Sequence, residues 1–184
     1  MKNEKLPSLK KATKILCFDV ESNGLHGEAF AIGAVVSDSS GQIYDEFSGR
    51  TEIVGDTDQW VEQNVLPVME SMQITHSSYK HLRDNFWGWF VKAQEQADYV
   101  LVMNGYPVEY RFLLQCQEDD MQSRYWEHPF PILDLTSMLL MVGYNQPAKN
   151  RLMHEVARSN NLSKHHPLHD AKITILAAFQ ALLP

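Results

Sequence analysis

The chain has 184 residues, 44% hydrophobic and 21% charged, with a formal net charge of −7, a length that suits one domain with a sizeable core and leaves little room for two. No apolar run approaches the eighteen or so residues needed to cross a bilayer, and the acidic balance argues against gripping duplex nucleic acid through a broad basic face. It does not exclude a nuclease, because a site that holds divalent cations supplies positive charge where a phosphate sits.

Residues 1 to about 12 are Lys-rich and read as a flexible start. An apolar strand, not a signal-peptide core, follows them, so a cytoplasmic protein is expected. That strand covers residues 14 to 20, and 29 to 38, AFAIGAVVSD, reads as a second. Ser39, Ser40 and Gly41 signal a turn, and QIYDEFSG alternates Ile43, Asp45 and Phe47 with Tyr44 and Glu46, which completes a hairpin. From 57 to 96 the pattern is helical. Trp60, Val61 and Val65 precede a break at Pro67, and a longer helix from Ser77 or Ser78 to Gln96 carries Leu82, Phe86, Phe90 and Val91. Phe86 and Phe90 stand at helical spacing and read as core, which leaves Trp87 and Trp89 for other faces.

Residues 99 to 103, YVLVM, form a short continuous apolar run that suits a strand covered on both faces and ends at Asn104 and Gly105. Pro107 then fits a first helical turn, ahead of a stripe of Val108, Phe112, Leu113 and Cys116. Residues 131 to 134 read as a strand running into a helix over 135 to 142, and residues 168 to 183 form the clearest helix in the chain. A hairpin followed by alternating strand and helix predicts an α/β fold: a mixed sheet with helices on its faces. Cys17 and Cys116 make no CxxC pair and read as reduced core thiols.

Asp19 and Glu21 stand two apart on the first strand, so both carboxylates point to one face at the carboxyl end, where open α/β sheets place their ligands. Two such groups do not stay ionised side by side without a counter-charge. Spacing alone carries little, since a chain of this composition yields about 0.7 chance occurrences of D-x-E and about 0.5 of the His165 to Asp170 spacing. Context carries more. Glu109 opens the helix after YVLVMN, His165 precedes the last helix, and Asp170 lies in its first turn.

Three stretches, FDVESNGL at 18 to 25, NGYPVEYRFL at 104 to 113 and HHPLHDA at 165 to 171, occur in the order of the DEDDh 3′–5′ exonucleases of the ribonuclease H-like superfamily. The chain resembles that family over roughly residues 14 to 182. The spacer after Asn104 is closer to oligoribonuclease and small stand-alone exoribonucleases than to polymerase proofreading subunits. The resemblance implies a ribonuclease H-like mixed five-stranded sheet, antiparallel first and then parallel, in a single exonuclease domain over residues 13 to 184. It implies that Asp19, Glu21, Asp170 and the acid of the second motif, Glu109, hold two Mg²⁺ or Mn²⁺ ions, with His165 as general base. Leu25, His26 and Asn104 would contact the substrate, the 3′ end of single-stranded RNA or DNA, with RNA favoured. No membrane partner is expected, and the oligomeric state is open, a homodimer being compatible.

Where the family has Asp, this chain has Glu109, longer by one carbon–carbon bond of about 1.5 Å. The alternative is therefore a catalytically impaired nuclease-fold module that binds nucleic acid or protein. Leu25 equally suits packing of its own turn, Asn104 a turn ahead of Gly105, and Asp134 a helix cap rather than a substitute ligand. A zinc site on His165 and His169 needs a helix that starts before Pro167, which Pro167 argues against.

Overall fold

Eight residues of β1 (Ile15–Ser22) hold the centre of a five-stranded sheet, ordered β3-β2-β1-β4-β5. Its partners are β2 (Ala29–Ser37), β3 (Ile43–Arg50), β4 (Tyr99–Val102) and β5 (Ile132–Asp134). β1 pairs antiparallel with β2 and β2 with β3, whereas β1 with β4 and β4 with β5 run parallel. This is the mixed α/β sheet expected. The computed structural model describes residues 13–183, so the reading of residues 1 to 12 lies outside the described residues.

Seven helices flank the sheet among the described residues: α1 (Gln59–Asn64), α2 (Tyr79–Gln94), α3 (Tyr110–Glu118), α4 (Met121–Arg124), α5 (Leu135–Met141), α6 (Gln146–Ser159) and α7 (Pro167–Leu182). Alternation along β1 sorts its side chains between the two helical layers. Leu16, Phe18 and Val20 enter a core with Leu82, Phe86 and Phe90 of α2 and Phe112 of α3. Ile15 and Cys17 face the other way, into a core built with α5, α6 and α7. Asp19 and Glu21 continue that second row, so the apolar face of the strand turns acidic toward its carboxyl end. Among the described residues no helix is long and apolar enough to cross a membrane.

Three features differ from the sequence reading. Trp87 is buried in the α2 core, not on another face, and its indole N–H donates to Glu127 Oε2 at 2.9 Å. Pro107 does not open an α-helix: residues Gly105–Glu109 form an irregular π-type turn with extended backbone at Tyr106 (φ −104°, ψ 137°) and a cis Tyr106–Pro107 bond. The residue before a proline is disfavoured in helical geometry, and Asp134 Oδ2 accepts from the Gly105 amide at 2.9 Å, so α3 begins only at Tyr110. Helices α4 and α6 have no counterpart in the sequence reading. Cys17 and Cys116 are free and buried, as expected.

Candidate metal centre and substrate cleft

β4 pairs with β1 only from Ile15 to Cys17. Past that point β1 continues while the chain after β4 leaves the sheet, and Asp19 and Glu21 stand in the opening. The third acid reaches them through a glycine. Gly33 of β2 is the register partner of Asp19, and a Cβ at Gly33 would lie 2.0 Å from the Leu168 amide nitrogen. Only a residue without a side chain lets the first turn of α7 rest on the sheet there. Asp170, in that turn, is thereby carried to the end of β1.

His165 lies just before α7, with left-handed backbone (φ 63°) that a non-glycine residue seldom adopts. Its amide donates to Asp170 Oδ2 at 2.6 Å, which ties the turn to the acid, and its imidazole meets the Trp60 ring edge-on at 5.4 Å. Glu21, His165 and Asp170 each offer one ligand atom, all within 4.8 Å of one another. A cleft of about 310 Å³ opens over them, lined also by Asp19, Asn104 and Lys149.

Burial and mutual repulsion hold these acids toward their neutral forms. Asp19 is pushed well above the usual carboxylate range, first by burial and then by Asp170, Glu21 and Glu109. Burial, Asp170 and Glu109 push Glu21 up to about 8. Asp170 rises to about 6 through burial, against the pull of the His165 amide and Lys164. Burial, then Lys164, pushes His165 down, which keeps its imidazole neutral at physiological pH. The cluster thus lacks positive charge at its centre, and carboxylate oxygens with one imidazole are a donor set that suits a divalent cation.

Glu109 ends the π-type turn, is 7% exposed, and is pushed up to about 8 by burial, with backbone hydrogen bonds from Glu109 and Val20 opposing. It acts on Asp19 and Glu21 through charge and, like Asp19, stands outside the group of three ligand atoms. Leu25 is 63% exposed and lines, with Trp60 (54% exposed), Gly24, Asp58 and Val108, a second cavity of about 450 Å³ that shares Glu21 with the cleft. His26 is exposed, and its carbonyl accepts from Arg111. Asn104 lines the cleft, its Oδ1 accepting from Thr136 Oγ1 at 2.6 Å. Asp134 caps α5 by accepting from the Ser137 amide at 2.7 Å. His169, the second histidine of the zinc alternative, instead accepts from the Ser163 amide at 3.1 Å and stacks on His166 at 4.2 Å.

Trp60, Lys149 and Lys164 reach this site without having been singled out by the sequence reading. Trp60 arrives because Asp58 caps α1, accepting from the Trp60 and Val61 amides, an order that says nothing of where the indole points. Lys149 is 8% exposed, and its Nζ donates to Thr136 Oγ1 at 3.2 Å. Burial pushes it down, Asp134 opposes, and Lys164 adds to the lowering. No family model matches the chain, and no curated protein matches it.

Proposed function

We propose that this chain is a metal-dependent 3′–5′ exonuclease that hydrolyses phosphodiester bonds at the 3′ end of single-stranded nucleic acid. The observation that carries the reading is the meeting of Glu21, His165 and Asp170, from the two ends of the chain, within 4.8 Å in one cleft that Asp19 also lines. Asp19, Glu21 and Asp170 would hold the ions, with Glu109 beneath them. Two such ions, Mg²⁺ or Mn²⁺, when bound supply activation of water and stabilisation of the leaving oxygen in an in-line displacement. His165, neutral and on the cleft wall, takes the proton of the attacking water. The cavity between Leu25 and Trp60 offers apolar walls to the terminal base, and an aromatic face stacks on any base. The spacer after Asn104 and the small size of the chain, by analogy with oligoribonuclease and small stand-alone exoribonucleases, favour RNA over DNA.

The test is incubation of 5′-labelled single-stranded RNA and DNA with the protein in Mg²⁺, Mn²⁺ or EDTA. A ladder shortened from the 3′ end is expected with either metal, absent in EDTA, and lost in Asp19→Asn and His165→Ala. No metal-dependent ladder, or one that survives Asp19→Asn, rejects the reading.

One observation favours a second reading. Glu109 is buried and stands apart from the grouped ligand atoms, which suits a module that holds nucleic acid without turnover. Such a module binds the labelled oligomers in metal and releases no mononucleotide.

A further inference from the structure

The cleft that carries the carboxylates also carries a buried lysine, and that lysine forms no ion pair among the described residues. Lys149 opens the buried stripe of α6, ahead of Leu152, Met153, Val156 and Ala157. Among the described residues its ammonium forms no ion pair and one hydrogen bond, to the neutral Thr136 hydroxyl. Asp134 acts on the ammonium through charge without forming an ion pair, its two oxygens accepting from the Gly105 and Ser137 amides. One of the three donors of the Lys149 ammonium is used, which leaves two for a group that enters the cleft.

Its surroundings are arranged for donation. Lys149 donates to Thr136 Oγ1, which donates to Asn104 Oδ1, so the Asn104 amide group is left to donate toward the cleft that both residues line. Lys164 lines the same cleft without an ion pair, its Nζ 3.3 Å from His154 Nε2. The cleft therefore holds the ammonium groups of Lys149 and Lys164, neither in an ion pair among the described residues, alongside its carboxylates.

We infer that Lys149, with the Asn104 amide and Lys164, forms a direct anion subsite for the backbone phosphate next to the one being cleaved. This rests on the nuclease reading above: the carboxylates take their phosphate through cations, and Lys149 takes the neighbouring phosphate without them. The subsite makes the protein select a chain over a mononucleotide ester, and Thr136 is a positioning residue that aims both donors.

The probe is a 5′-fluorescent tetranucleotide carrying a phosphorothioate at its 3′-terminal linkage, titrated by anisotropy in Mg²⁺ at several salt concentrations. Wild-type binding is expected to weaken with salt. Lys149→Met should bind about tenfold more weakly at low salt and lower the log–log salt slope by about 0.7, the value for one phosphate contact on a single strand. Lys149→Arg should keep the slope, and Thr136→Val should keep it while weakening binding. Thermal melts establish that each variant folds. In Lys149→Met, KM for oligomers should rise by a larger factor than KM for thymidine 5′-(p-nitrophenyl) phosphate, which lacks the neighbouring phosphate. No binding by the wild type, or an equal slope in Lys149→Met, overturns the subsite. Lys149-dependent binding with no mononucleotide released from an unmodified oligomer retains the subsite and removes hydrolysis; release with an unchanged slope does the reverse.

Discussion

The acidic floor of the cleft and its basic wall are built by opposite means. On the floor, like charges are pressed together by a strand and a helix that the rest of the fold holds rigidly, so each carboxylate raises its neighbours. On the wall, a single ammonium with one hydrogen bond, to the Thr136 hydroxyl, forms no ion pair among the described residues. The floor needs cations and the wall needs an anion, and a phosphodiester with its metal ions supplies both. A cleft with only the floor would hold metal, and one with only the wall would hold any phosphate.

Neutralising one side at a time separates the two. Asp19→Asn on the floor is expected to lower hydrolysis by more than about 100-fold, beyond the 10 to 100-fold typical of groups that only support metal ligands. Lys149→Met on the wall should weaken oligomer binding by a larger factor than it slows the small ester. Equal losses on both substrates from both variants would mean that floor and wall are one unit.

Gly33→Ala tests how the floor is assembled. The new methyl would sit 2.0 Å from the Leu168 nitrogen, in backbone that has no rotamer with which to yield. Overpacking of this kind costs about 1–3 kcal/mol, or a fall in Tm of about 2–12 °C for a chain of this size. Hydrolysis should fall further than stability requires, because α7 carries Asp170 away from β1. A variant that melts lower yet hydrolyses at the wild-type rate would show that Asp170 need not be held so closely.

The floor also sets a pH dependence that the wall opposes only weakly. In the metal-free fold Glu21 and Glu109 keep their protons up to about 8, whereas unfolded they lose them near 4.5. The native state then binds more protons between those values, so this stability is fully present below about 4.5 and declines as pH rises toward 8. In EDTA, Tm is expected to fall by about 5 °C or more between pH 5 and pH 8.5. Mg²⁺ or Mn²⁺ should restore most of it at the higher pH and little at the lower. A Tm that rises over this range in EDTA would place the carboxylates in a less crowded site.

How much of this was legible depended on whether function agreed with pattern. β1 announced itself because four apolar residues run into Asp19 and Glu21 with strand alternation intact, and α7 because its apolar face is continuous from Leu168 onward. Glycine at position 33 looked like one more small residue in AFAIGAVVSD, since its reason lies on α7, far away in sequence. α6 was missed although its buried positions 149, 152, 153, 156 and 157 keep helical spacing. The stripe opens on a lysine where the pattern calls for an apolar residue. Local rules tend to break at functional positions, so the residue that hid the helix is the one that the cleft uses. The turn at 105 to 109 was misread for a nonlocal reason too, since Asp134 holds the Gly105 amide from another strand.

The smallest effect concerns Glu109, the position at which the chain departs from the exonucleases that its motifs resemble. Glu109 reaches the floor from a turn that begins at the Asp134-held Gly105 amide, and its longer arm is buried against Val20 rather than gathered with Glu21, His165 and Asp170. Glu109→Asp withdraws the carboxylate by about 1.5 Å. Since Mg²⁺ demands near-ideal octahedral geometry, the change should act through metal preference more than through rate. Hydrolysis is expected to stay within about tenfold of wild type, at a raised Mg²⁺ to Mn²⁺ activity ratio, as read from parallel titrations of each metal against one labelled oligomer. An inactive wild type that gains a metal-dependent ladder in Glu109→Asp would instead assign the longer arm the work of silencing the site. In that case the wall would still bind its phosphate, and the molecule would be a reader of 3′ ends rather than an enzyme that removes them.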